Sequence, residues 1–339
     1  MKTILIVDDN LTNLKYISTQ IGQEYKTILA KSGEQALQIC TKQRPDLILL
    51  DIAMPSMDGF ETISRIKQIS SLQKIPVIFL TADHDVETEV KALQSGAMDF
   101  ITKPVEKSIL LHRIALHLQF SQYQQHLEDT VKELEDSIVT SFAELVEYRD
   151  QNTGGHIQRT SRYVELLGEA LQEHGYFADE LGSYEMALIV RASPMHDIGK
   201  IAISDTILLK PGRLTNEEFD VMRTHTSIGS DILKKMYERT PTQHYLQWAA
   251  EIAGSHHEKY DGTGYPLGIK GEEIPLCSRI MAVADVYDAL VDDRVYRKAM
   301  SHEAACQIIF EGAGLHFDPK IVEVFKKIHE KFITVHHVG

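Results

Sequence analysis

Residues 46–60, DLILLDIAMPSMDGF, decide the fold of the first third of the chain. Four apolar residues, Leu47 to Leu50, run without polar alternation into Asp51, and a turn of Pro, Ser, Asp and Gly leads into the amphipathic stretch FETISRIKQI. A strand written as an unbroken apolar run is covered on both faces, the condition of a parallel sheet between two helical layers. The same alternation recurs on either side: TILIV with TNLKYISTQI, YKTILA with EQALQIC, PVIFL with EVKALQS, and DFI with a last helix from Lys107. Five such βα units predict a doubly wound, flavodoxin-like α/β domain over residues 1–122.

Ligands of such sheets sit beyond the carboxyl ends of the strands. The residues at those ends are Asp8 and Asp9, Asp51, Thr81, and Lys103 followed by Pro104. Three carboxylates on one rim call for a cation, and oxygen donors alone suit Mg²⁺. In ILIVDD, LLDIAMPSMDGF, FLTAD and DFITKP the domain closely resembles response-regulator receiver domains. The resemblance implies that Asp51 is the phosphoacceptor, that Asp8 and Asp9 hold Mg²⁺ together with Asp51, and that Thr81 and Lys103 contact the phosphoryl group. It further implies Phe100 as the rotating aromatic of the switch, a cis peptide before Pro104, and a sensor histidine kinase as partner.

Composition bounds the remainder. A chain of 339 residues is long for one core, and 43% hydrophobic with 25% charged residues is an ordinary globular balance, so two domains are expected. The opening MKTILIVDD is neither a signal peptide nor a spanning segment, which points to a cytoplasmic protein away from membranes. Net charge is −14, and residues 121–339 carry most of the acidic excess, with 22 Lys+Arg against 35 Asp+Glu. That balance excludes the basic footprint of a DNA-binding protein. Cys40, Cys277 and Cys306 stand far apart without CxxC spacing and read as buried packing residues.

Residues 105–147 contain no Pro or Gly, and Leu111, Ile114 and Leu118, then Leu127, Val131, Leu134, Ile138, Phe142 and Leu145, recur mostly at gaps of 3 or 4. The phase slips at QFSQYQQH. A coiled-coil-like connector over 123–147 that pairs two chains in a homodimer is one reading, and a helix packed on its own domain is the other.

Thirteen of the 16 histidines lie beyond residue 120. With 16 His and 22 Asp a His-Asp pair arises by chance about once, so the pair means little without its company. His84-Asp85, at a receiver helix start, has none and reads as surface. His196-Asp197, in ASPMHDIGKIAI, reads as the end of an apolar helix. It is followed by His225, by His256 and His257 in HHEKYDGTGYP, and by Asp285, with His156 upstream. Imidazole and carboxylate donors suit Fe, Mn, Ni, Co or Zn, and Asp197 can bridge two ions, the pattern of a binuclear hydrolytic centre. His174, His244, His302, His316, His336 and His337 have no ligand-spaced neighbours in sequence and read as solvated or core residues.

Residues 148–339 resemble an HD-GYP domain, an all-α branch of the HD metal-dependent phosphohydrolases, through HDIGK, HHEKYDGTGYP with Gly264, Tyr265 and Pro266, and DVYDALVDDRVYRKA. The resemblance implies two divalent transition metals held by His156, His196, Asp197, His225, His256, His257 and Asp285. It makes Lys200 and Asp197 catalytic, with Lys200 beside the metals, Arg294 and Arg297 near the substrate phosphates, and cyclic di-GMP the substrate. Two departures stand out: Asn152 replaces a Glu found in three-metal relatives, which predicts two ions rather than three, and Val295 replaces a Pro. Tyr265 on its Gly-rich loop is a candidate guanine contact. The expected reaction is attack of metal-activated hydroxide on the phosphodiester, giving linear pGpG or GMP, under control of Asp51 phosphorylation. The alternatives are another cyclic dinucleotide as substrate, or a non-catalytic adaptor acting through protein partners.

Overall fold

The computed structural model describes residues 1–82, 86–150, 155–292 and 298–338. His84-Asp85, Asn152, Arg294, Val295 and Arg297 lie outside the described residues. The chain divides into two compact units, Met1–Lys132 and Glu133–Gly339.

In the first unit β1 (Thr3–Val7), α1 (Leu11–Ile21), β2 (Lys26–Ala30), α2 (Gly33–Lys42), β3 (Leu47–Asp51), α3 (Gly59–Gln68), β4 (Val77–Thr81), α4 (Val86–Gln94) and β5 (Asp99–Thr102) alternate. The strands lie in the order β2-β1-β3-β4-β5, all neighbours parallel. This is the flavodoxin-like arrangement expected from the sequence. Side chains alternate between two cores. Leu5, Val7, Ile48, Leu50, Val77 and Phe79 share one with Ala36 and Ile63 of α2 and α3. Ile4, Ile6, Leu47, Leu49, Ile78 and Leu80 share the other with Leu14 and Ile17 of α1. β1, β3 and β4 are accordingly buried along their full length. β2 departs from the doubly covered reading: it is an edge strand, and Lys26 to Leu29 keep surface in solvent.

α5 (Lys107–Arg149) begins in the first unit, where Leu110, Ile114 and Leu118 are buried in the α1-side core. Past the phase slip the apolar positions are exposed: Leu127 at 56%, Leu134 at 59% and Leu145 at 64%. The boundary between units falls inside the connector segment, and Glu133–Arg149 belong to the second unit.

The second unit continues with α6 (His156–Glu173), α7 (Ser183–Ala192), α8 (Asp205–Leu208), α9 (Asn216–Arg239), α10 (Tyr245–Ser255), α11 (Leu276–Val291), α12 (His302–Glu311) and α13 (Pro319–Val338). Its core joins Tyr163 and Leu167 of α6, Ile189 of α7, Leu233 of α9, Ile252 of α10, Ile280 and Tyr287 of α11 and Phe325 and Phe332 of α13. α9 starts on a capping box in which Thr215 and Glu218 satisfy each other's backbone N–H. Among the described residues no helix is long and apolar enough to cross a membrane.

ASPMHDIGKIAI is not the end of an apolar helix. α7 stops at Ala192, and the segment continues as two 3-10 turns, Ser193–Met195 and Ile198–Ala202, with His196-Asp197 between them. Pro194 lacks the N–H that another α-helical turn requires. Gly199 then lets the turn lie directly on α9: a Cβ there would stand 1.9 Å from the His225 carbonyl oxygen and 2.6 Å from the Gly229 nitrogen. Both obstacles are backbone. Gly199→Ala is therefore expected to lower the stability of the second unit by about 1–3 kcal/mol in urea unfolding; an unchanged midpoint would contradict the close contact.

Candidate active site

His156 opens α6, His196 and Asp197 lie between the 3-10 turns, and His225 sits in the middle of α9. His256 and His257 follow the last turn of α10, and Asp285 lies on α11. The fold gathers all seven into two sets around one carboxylate. Ligand atoms of His156, His196 and Asp285 fall within 4.8 Å of one another, and so do those of Asp197, His225, His256 and His257. The two oxygens of Asp197 face different sets: Oδ2 is 3.4 Å from His196 Nε2, and Oδ1 is 3.3 Å from His225 Nε2 and 3.7 Å from His256 Nε2. His156 Nε2 lies 3.4 Å from His196 Nε2 and 3.8 Å from Asp285 Oδ1.

These donors fit metal ions. Two ligands of one ion, each about 2.0–2.2 Å from it, stand about 3–3.5 Å apart. Each inner imidazole also has its other nitrogen tied down. Nδ1 of His196, His225 and His256 lies 3.0, 2.7 and 2.9 Å from the carbonyls of Ser193, Met222 and Ile252, and a carbonyl only accepts. In the neutral ring the Nε2 lone pair therefore points into the centre. His225 Nε2, His256 Nε2 and Asp197 Oδ1 are buried without a hydrogen-bond partner, an arrangement costly to a fold unless a cation completes it.

The acids dominate the local field. Burial opposes charge on His196, yet Asp197 and Asp285 outweigh it and raise its pKa to about 9. His257, where burial and the neighbouring His256 act together, is held well below the usual range. Lys200 Nζ lies 2.7 Å from Asp197 Oδ2 and 2.7 Å from Asp150 Oδ2; burial disfavours its charge, but the two carboxylates prevail and raise its pKa.

Several participants were not visible in the sequence. Asp288, one helical turn beyond Asp285, accepts from His156 Nδ1 at 2.7 Å and is gripped by Arg159 through Nε at 2.7 Å and Nη2 at 2.9 Å. The i, i+3 spacing of DVYD was the available signal. Glu147 and Asp150, at the end of α5, line a small cavity with His156, Asp197 and Lys200, and Glu147 Oε1 is buried without a hydrogen-bond partner. Glu258 Oε1 accepts from the N–H groups of Leu267 at 2.6 Å and Gly268 at 3.2 Å, closing the Gly264-Tyr265-Pro266 loop. The Tyr265 ring lies 4.9 Å from that of His257, tilted by 33°, and Arg223 lies 5.1 Å from the Tyr265 ring and 4.7 Å from that of Phe219.

In the first unit, ligand atoms of Asp8, Asp9 and Asp51 come within 4.8 Å of one another. Lys103 Nζ bridges Asp8 Oδ2 at 2.8 Å and Asp51 Oδ1 at 2.9 Å. Burial raises the pKa of Asp51, Lys103 works against that, and Asp8 and Asp9 add to it. Thr81 is buried at the end of β4, Phe100 is half-buried against the α2-side core, and the Lys103-Pro104 peptide is cis.

Comparison with known proteins agrees with both units. A family model of the response regulator receiver domain matches residues 4–115, and one of the HD domain matches residues 140–321. A probable cyclic di-GMP phosphodiesterase of Vibrio cholerae is 42% identical over 98% of this chain and 79% of its own length. The cyclic di-GMP phosphodiesterase response regulator RpfG of Xanthomonas campestris is 37% identical over 94% and 86%. A 3'3'-cGAMP-specific phosphodiesterase 2 of Vibrio cholerae is 38% identical over 67% of this chain and 40% of its own length.

The Asp288 contact makes a specific demand. Asp288→Asn removes the carboxylate that orients His156, and metal affinity is expected to fall about 10- to 100-fold in chelator competition; wild-type affinity in that variant would contradict the role. Receiver rim, HD centre and comparisons together place the chain in the family of response regulators that join a receiver domain to an HD domain, the family of the cyclic di-GMP phosphodiesterases named above.

Proposed function

We propose that the second unit hydrolyses the phosphodiester of cyclic di-GMP to linear pGpG, with GMP as the product of a second cleavage, under control of phosphorylation at Asp51. The observation that carries this reading is Asp197, whose two oxygens face two separate histidine sets while Oδ1 and two imidazole nitrogens remain buried and unpartnered.

His156, His196, Asp197 and Asp285 would hold one ion, and Asp197, His225, His256 and His257 the other; Fe, Mn, Ni, Co and Zn all suit such donors. Bound there, the pair supplies activation of water near neutral pH and polarisation of the phosphoryl oxygens. The chain's own residues prepare the site for that chemistry. Main-chain carbonyls hold three of the imidazoles in the tautomer that ligates, and the Arg159–Asp288 pair does so for His156. Lys200 is held as a cation between Asp150 and Asp197. It stabilises negative charge growing on the phosphate. Tyr265 offers a flat face beside His257 for a purine base, with Arg223 next to it. Arg294 and Arg297 remain candidates for the phosphates.

In the first unit Asp51 would take the phosphoryl group from a histidine kinase, with Mg²⁺ held by Asp8, Asp9 and Asp51 and with Thr81, Phe100 and Lys103 reading the change. α5 is the route onward. Its end is tied to the catalytic turn: Arg149 donates to the carbonyls of Ile201 and Ile203, and Asp150 holds Lys200. A displacement of α5 therefore acts on Lys200, and activation by phosphorylation is the direction proposed. The exposed stripe at Leu127, Val131, Leu134, Ile138 and Phe142 keeps near-heptad spacing, which supports pairing with a second copy of the chain.

The HD centre of anaerobically purified protein should hold about two metal ions and hydrolyse cyclic di-GMP, and a His196→Ala, Asp197→Ala double variant should lose those ions and the activity. Metal without turnover of cyclic di-GMP but with turnover of 3'3'-cGAMP would move the substrate to that dinucleotide, and absence of metal and turnover alike would favour an adaptor. A phosphodonor should stimulate wild type and leave Asp51→Asn unchanged. The double variant Leu127→Asp, Leu134→Asp is expected to convert a dimer to a monomer in light scattering; an unchanged mass would exclude pairing through this stripe.

A further inference from the structure

In the sequence Cys306 reads as a packing residue and His302 as a solvated or core one, yet α12 presents both on one face, four residues apart, toward His329 of α13. His302 Nε2 lies 2.9 Å from His329 Nδ1 and 3.5 Å from Cys306 Sγ, and one ligand atom from each residue falls within 4.8 Å of the others. The trio is separate from the seven residues of the HD centre. We propose that His302, Cys306 and His329 form a further metal site, one that takes a zinc ion.

Three features of the geometry carry this assignment. The first is convergence: two imidazoles and a thiol meet from two helices, Sγ and His302 Nε2 at a separation that ligands of one Zn²⁺ adopt, with Zn–N about 2.0–2.1 Å and Zn–S about 2.3 Å, and the two ring nitrogens at 2.9 Å, a hydrogen bond that opens by a few tenths of an ångström to admit the ion. The second is the donor set. A thiolate with imidazoles suits zinc and disfavours Mg²⁺ or Ca²⁺, which prefer oxygen. The third lies behind the ligands. His302 Nδ1 is 2.7 Å from the hydroxyl of Tyr287, so the nitrogen that does not ligate already has a partner that orients the ring. Tyr287 is buried on α11, next to Asp288 and two residues from Asp285.

The groups facing the trio are compatible with a cation. Burial and His329 lower the pKa of His302, against opposing contributions from Glu303 and Glu330. Cys306 is buried and its pKa is pushed up to about 11, by burial and by Glu303, so without metal it is an unreactive thiol. Binding then proceeds with a simple balance. The S–H bond breaks, an S–Zn bond forms and that proton leaves to solvent, while the hydrogen between His302 Nε2 and His329 Nδ1 is given up by the ring that carries it, which takes its single proton on the nitrogen turned away from the ion. Three protein donors leave one tetrahedral position to water or an added ligand, the pattern of an exchangeable ion rather than a closed structural one. An ion held here cross-links α12 and α13 beside the helix that bears Asp285.

Co²⁺ is the probe, because a thiolate ligand gives it a charge-transfer absorption in the near ultraviolet and the HD centre contains no sulfur. Titrating the full chain should give that band at one equivalent for this site, with release of one proton per ion above neutral pH, and added Zn²⁺ should abolish it. Cys306→Ser, nearly isosteric and checked for folding by circular dichroism, should lose the band, and His329→Ala should weaken binding about 10-fold or more. No thiolate band in wild type at saturating Co²⁺, or a band that survives Cys306→Ser, would overturn the assignment.

Discussion

The second unit is organised around one constraint: a single half-buried carboxylate, Asp197, must face two sets of imidazoles at once. Much of the local structure serves that requirement. Pro194 ends the helical path, the paired 3-10 turns set His196 and Asp197 side by side, and Gly199 lets the turn press its backbone on α9 beside His225. The histidines come from four separate stretches of chain, so each must be locked by its own neighbourhood. Carbonyls one turn back on the same segment do this for His196, His225 and His256, and a carboxylate held by Arg159 does it for His156. The rings are thereby pre-set as ligands before any ion arrives, which reduces the reorganisation that binding requires.

The two units meet the same electrostatic problem with similar means. In the first, Asp8 and Asp51 share Lys103; in the second, Asp150 and Asp197 share Lys200. Converging carboxylates are unfavourable when buried together, and a lysine between them offsets part of that cost while leaving room for a divalent ion or a phosphoryl group. Lys103 directly follows β5 and Lys200 sits in a short 3-10 turn, so the motion of one short segment shifts the charge balance of a whole site. α5 supplies a physical link in the second unit, because Arg149 and Asp150 grip the same turn that carries Asp197 and Lys200.

What was legible in the sequence was what depends on local order. Apolar runs ending in Asp8, Asp51 and Thr81 are a property of strand and rim, and HDIGK with HHEKYDGTGYP keeps its ligands within short motifs. Contacts formed by residues distant in sequence were not legible: Arg159 with Asp288 across 129 positions, Asp150 with Lys200 across 50. The helical reading of ASPMHDIGKIAI followed its apolar content, and Pro194 with Gly199 overrode that content. His302 reads as isolated because its partner His329 stands on another helix, and Cys306 at i+4 is the one signal within its own segment. The edge position of β2 depends on strand order, which the apolar run alone does not specify.

The central claim is that Asp197 lies between two ions, one on each histidine set. X-ray data collected on either side of the metal absorption edge, from crystals of anaerobically prepared protein, test it directly. The account predicts two anomalous peaks at the centre, one among His156, His196 and Asp285 and one among His225, His256 and His257, with an Asp197 oxygen toward each. A single peak, or two peaks that do not share Asp197, would contradict it.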